Sequence, residues 1–363
     1  MSPSPVARRL LLALAVACLV LGVIGGLQRL GWALRVPGIS PAFAHGTLML
    51  CGVLGTVIAL ERAIALGGGT ALAAPLASGL GAAFALAGLR AAAAALLVVA
   101  ATALAAICVR ILRRQPAAHN VALLAGALAW LAGGIALAAG AEADAVAAWW
   151  FTFVVLTVAA ERLELGRLRP RHRLALPLFG AAGALLVAGA AAVALGPAGR
   201  ILFGAGLVGI AAWLATFDVA WRTLHAPGYA RYAACALLPG YAWLAVAGVA
   251  WSLPPHAGAR DLALHGIALG FAFSMIFAHA PIILPVVTGV RVRFTPAFYI
   301  PLVALHASLV WRAGPGFGDL LARRTGAWLN VAALVAFALT MIFASRRPAH
   351  RTTVLCTAPT PRR

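Results

Sequence analysis

The sequence predicts an all-α, polytopic integral membrane protein, and three observations predict it. The 363 residues are 64% hydrophobic and only 10% charged, with a mean hydropathy of +1.00. The apolar residues gather in runs of about 20, the length a helix needs to cross a bilayer. Strand-type alternation is absent, and in lipid only helices or closed barrels satisfy the backbone. The net charge of +20 does not point to nucleic acid. The basic residues, all of them Arg, punctuate the apolar runs as topology signals do, with no patch interleaved with aromatics.

Taken in order, the runs place twelve spans near 10–27, 42–62, 72–89, 91–112, 120–140, 145–164, 174–195, 200–221, 231–253, 262–285, 296–312 and 325–345. The first follows Arg8 and Arg9 and reads as a retained span, because no clear small-x-small cleavage site follows it. The third and fourth are Ala-rich and separated by little more than Arg90. Arginine then sets the orientation. With the N-terminus in the cytoplasm, 20 Arg fall inside and 8 outside, and the acidic turn with Glu142 and Asp144 falls outside. Both termini are then cytoplasmic. Short loops leave one transmembrane domain over 1–345, followed by a basic, disordered cytoplasmic tail over 346–363.

Small residues within the spans, such as Gly52, Gly55, Gly204 and Gly209, suit close helix packing. The second and sixth spans end alike, in Glu61-Arg62 and Glu161-Arg162, and the tenth ends near His279 and Pro281. Three arcs of four helices, the second of each carrying the unusual polar residues, fit that pattern. Pro281 and Pro285 are expected to kink the tenth span.

The candidate chemistry lies in imidazoles at membrane depth, where ionisable groups are costly. His45 and His265 each sit about one turn inside the outer end of a span, and each is followed by glycine, Gly46 and Gly266. Two imidazoles from facing helices can hold haem iron, and a small neighbour lets a flat ring approach. His306 lies in the outer half of the eleventh span and completes a candidate set of His45, His265 and His306 for haem or a metal. Copper is the alternative to haem, since imidazole suits both. On a straight helix His279 lies within about 40° of His265, so that one stripe carries both, while Glu61 points about 160° away from His45.

At the inner side, Glu61, Arg62, Glu161, Arg162 and His279 form a candidate proton relay. The plainer reading has the Glu and Arg snorkelling to headgroups, with Asp218 and Arg222 a local i,i+4 pair. His119, His172, His225, His256 and His350 fall in expected loops or the tail and take no role. Five scattered Cys form no CxxC, so thiolate zinc, thioredoxin-like and c-type haem sites are unsupported. No nucleophilic triad, phosphate loop or HExxH is present.

Twelve spans with imidazoles near the outer end of the second and tenth resemble the layout of haem-copper oxidase subunit I. There those helices supply the axial ligands of a low-spin haem, and the matching positions are His45 and His265. The length and the pattern HGIALGFAFSMIFAH look more like the NnrS family, bacterial membrane proteins associated with haem, copper and nitric oxide stress. Spans six and seven carry no His and position 263 is Ala, so the oxidase-type copper site is missing. The resemblance implies a multi-pass protein of the bacterial inner membrane that binds haem and handles or senses nitric oxide. Two rivals remain: a proton-coupled secondary transporter using Glu61, Glu161 and His279, and an assembly subunit without a cofactor.

Overall fold

A computed structural model describes residues 4–39, 41–166 and 172–346, and it is helical throughout, with no strand among the described residues. Twelve helices carry the chain back and forth: α1 (Pro5–Arg29), α2 (Pro41–Leu66), α3 (Gly69–Leu86), α4 (Arg90–Arg114), α5 (Ala118–Ala138), α6 (Ala143–Leu165), α7 (Ala175–Leu195), α8 (Pro197–Phe217), α9 (Tyr229–Ser252), α10 (Ala257–Thr288), α11 (Tyr299–Ala313) and α12 (Leu320–Arg346). Eleven are long and apolar enough to cross a membrane. The exception is α11, with 15 residues. It spans about 22 Å at 1.5 Å per residue, and the 3₁₀ turn Pro296–Phe298 before it adds about 6 Å.

Together with the residues that lead into it, α11 joins the two ends of the bundle. Just before it, the Arg293 N–H donates to the Ala344 carbonyl near the end of α12. At its other end Arg312 grips Asp261 in the first turns of α10. Arg9 of α1 likewise donates to the Thr288 carbonyl that closes α10. Arg9, Thr288, Arg293 and Ala344 therefore share one end, called here the terminal end because both ends of the described chain emerge there. His45, Asp144, His265 and Arg312 lie at the far end. The predicted tail, apart from Arg346, lies outside the described residues.

Three helices form the middle. The apolar windows of α2, α6 and α10 are buried by 61%, 78% and 61%, against at most 56% for any other. These are the second helices of the three proposed arcs, and α6 packs against the middle of both α2 and α10. Close approach of α5 and α1 to α2 depends on missing side chains: a Cβ on Gly55 would lie 2.7 Å from the Trp130 ring, and one on Gly52 would lie 2.8 Å from Cys18 Sγ. Pro281 and Pro285 stay inside α10, which runs on to Thr288.

Both α2 and α10 change register midway. Leu48–Gly55 and Gly266–Phe273 are π-helical, eight residues each. A π segment closes i→i+5 bonds, holds about one extra residue, and so turns everything beyond it by on the order of 100°. Glu61 is thereby brought to within about 60° of the direction of His45, and His279 is carried to about 140° from His265. The expected single stripe of His265 and His279 does not form, because it assumed an unbroken α register.

Candidate metal centre

The two imidazoles expected to pair do so. The rings of His45 and His265 face each other with centroids 6.4 Å apart and planes 28° apart. Each is held by its Nδ1. His45 Nδ1 lies 2.6 Å from the Gly22 carbonyl of α1, and His265 Nδ1 lies 3.0 Å from the Asp261 carbonyl one turn back on α10. A carbonyl only accepts, so Nδ1 carries the hydrogen in both rings and Nε2 keeps its lone pair. That is the arrangement in which second-shell carbonyls prepare imidazole for a metal.

Both side chains are half-buried. A Cβ on Gly46, which is exposed, would meet nothing within 4 Å. Gly266 differs: a Cβ there would lie 2.9 Å from Ala247 Cβ, which makes it a packing residue against α9. On the other side of His45, a Cβ on Gly26 would lie 2.9 Å from Cε1 of the ring, so α1 seats the imidazole closely.

A charged frame surrounds His265. The Arg312 fork donates to both Asp261 oxygens at 2.6 Å, and its Nη1 donates to Asn330 Oδ1 at 3.0 Å. Asn330 in turn donates to the Ser308 hydroxyl at 2.6 Å. Asp261 Oδ1 lies 3.2 Å from His265 Nδ1, and Arg312 Nη2 lies 3.4 Å from each ring nitrogen. Sequence reasoning gave Asp261 and Arg312 no part in the site. The signal was present for Asp261, four residues before His265 and thus on its face; Arg312 comes from another helix and carried none.

His306 is not drawn into the pair. The Trp243 indole N–H donates to His306 Nδ1 at 3.1 Å. Its Nε2 must then carry the hydrogen, and that atom is buried without an acceptor. In this tautomer His306 is a donor and offers no lone pair to a metal. Among the described residues no group of three or more His, Cys, Asp or Glu could hold a metal ion.

At the terminal end the Glu-Arg pairs meet each other. Arg62 donates to Glu161 across α2 and α6, and lies 3.5 Å from Glu61. Arg162 donates to Asp218 at 2.5 and 2.7 Å, and the Tyr241 hydroxyl donates to the same carboxylate at 2.9 Å. Snorkelling is thus ruled out for both arginines, which are buried or nearly so and bonded across helices. Asp218 pairs with Arg162 instead of Arg222, because α8 ends at Phe217 and the i,i+4 spacing is not helical there. His279 has Nδ1 on the Met275 carbonyl at 2.9 Å and lies close enough to Glu61, Arg162 and Asp218 to interact with their charges. His119, expected in a loop, is buried in the first turn of α5, 3.8 Å from Glu164. His256 caps α10. His350 lies outside the described residues.

No curated protein and no solved structure matches this chain. A family model described as Domain of unknown function (DUF8744) matches residues 8–346, which take in nearly all of α1, every helix from α2 to α12 and both clusters. With nearly the whole bundle inside that match, the chain belongs to the DUF8744 family.

Proposed function

We propose that this protein is a membrane haem protein that holds its cofactor between His45 and His265 and serves nitric oxide or respiratory chemistry. One observation carries the reading: two imidazoles from the two central helices α2 and α10 face each other at 6.4 Å, each with Nδ1 tied to a carbonyl. The nitric oxide part, and the bacterial inner membrane as the location, rest on the resemblance to the NnrS family. Copper held by the same pair is the alternative metal. A bound haem would supply one-electron and diatomic-gas chemistry. The chain's own residues orient that group: Gly22 and Gly26 of α1 fix the His45 ring, and Asp261, held by Arg312, fixes His265.

The test is an absorption spectrum, oxidised and dithionite-reduced, of protein purified in mild detergent after expression with ample haem, together with metal analysis. A Soret band that shifts on reduction and is lost in His45→Ala and in His265→Ala is the expected result. Nitric oxide addition should then shift the reduced spectrum. Colourless, metal-free protein would sink the reading. The second reading, a proton-coupled transporter, is favoured by the meeting of Glu61, Arg62, Glu161 and His279; it predicts no chromophore and a substrate-dependent proton signal.

A further inference from the structure

The terminal-end cluster divides into a balanced half and an unbalanced half. The balanced half is Asp218 with Arg162, one carboxylate and one guanidinium joined by two bonds, with the Tyr241 hydroxyl and the Ala220 N–H completing the carboxylate's partners. Its side chains are 0% and 6% exposed, and its formal charge is zero. The other half has two carboxylates, Glu61 and Glu161, and a single guanidinium, Arg62, bonded to both. One carboxylate charge is in excess.

Among the described residues, the other groups within reach do not cancel it. Cys108 of α4 is neutral as a thiol and faces Arg62. His279 is neutral unless it takes a proton, and its Nδ1 is committed to Met275. Glu164 adds negative charge at the edge, 37% exposed and facing His119. Arg162 also faces Glu161, but Asp218 already uses its charge. Glu61 and Glu161 lie roughly one turn inside the helix ends, only 34% and 23% exposed. An unbalanced carboxylate in such surroundings is costly, and the usual remedy is protonation.

We propose that Glu61 and Glu161 form a proton-binding site that holds one exchangeable proton between them at neutral pH, with Arg62 neutralising the carboxylate that remains. Two like charges sharing one cation titrate as a pair, so the proton belongs to both glutamates. Glu61, the more exposed, is the route by which it exchanges with water. The site stands on the terminal-end geometry alone, independent of any cofactor at the far end.

The experiment is infrared spectroscopy of the purified full-length protein in lipid nanodiscs, titrated from acid to alkaline pH in H2O and in D2O. The expected result is a protonated-carboxyl C=O stretch present at neutral pH, shifted by deuterium and lost above the pair's titration. It should vanish in Glu61→Gln and in Glu161→Gln, each of which leaves a neutral Arg–Glu pair. It should persist in His279→Gln and in Glu142→Gln at the far end. Arg62→Gln removes the shared cation, and the band should grow about twofold as both glutamates protonate. The two glutamine variants remain decisive if that one fails to fold. A wild type with no such band at neutral pH, a band that survives both glutamine variants, or one that appears only when sodium is withdrawn would overturn the proposal.

Discussion

The two ends of the bundle use the same central helices in opposite ways. At the far end α2 and α10 each present an imidazole with its Nδ1 on a carbonyl, and Arg312 Nη2 lies 3.4 Å from the Nε2 of His265. At the terminal end α2 and α6 bind each other through Arg62 and Glu161, and Arg162 reaches Asp218 beyond α8. One end presents two imidazoles across a helix interface; the other joins its helices through buried ion pairs. The difference separates what a site for an added group requires from what holds helices in register, and it can be tested from both directions.

The largest effect belongs to the saturated end. Asp218→Ala leaves the Arg162 guanidinium buried without a counter-charge, and breaking a buried pair in this way costs about 3–5 kcal/mol. Thermal unfolding in detergent should show a drop of that size, with Asp218→Asn retaining part of the loss. By contrast, His45→Ala should remove the proposed chromophore at a cost of only about 1 kcal/mol, since the ring's fixed bond is the one to Gly22. Equal destabilisation by the two substitutions would erase the distinction between the ends.

A subtler change sharpens it. Gly26→Ala places a methyl against the His45 ring, 2.9 Å from Cε1 before relaxation. The ring must shift, and disturbing the support of a ligand costs about 10- to 100-fold in affinity. Retention of the proposed haem on dilution or competition should fall by that factor while the fold survives. The smallest effect is expected for Trp243→Phe, which removes one neutral hydrogen bond to His306, worth about 1 kcal/mol. Its spectrum should match wild type, because His306 supplies no lone pair to the centre. A lost or altered Soret band in Trp243→Phe would return His306 to the ligand set.

Much of this was legible beforehand. Hydropathy located the eleven helices long enough to cross, and it also marked α11, whose continuous apolar run forms a helix of only 15 residues. The matched depth of His45 and His265 selected the pair that meets. What misled was angle. The π segments in α2 and α10 carry no local signal that sets them apart from other Gly- and Leu-rich stretches, yet each rotates the residues beyond it. Glu61 was therefore set too far from the face of His45, and His279 too near that of His265. Asp218 was assigned to Arg222 by spacing along a helix that stops one residue short of it, while its partner Arg162 lies 56 residues away.

By itself, then, the sequence determined which segments cross and how far along the bundle each polar group sits. Both follow from hydropathy and a rise per residue that is nearly constant along a helix. The tertiary structure decided which way each group faces and which partner it meets. Rotation accumulates with every residue and changes with hydrogen-bond register, and the contacts between helices depend on small residues such as Gly26 and Gly55 admitting a neighbour from elsewhere in the chain.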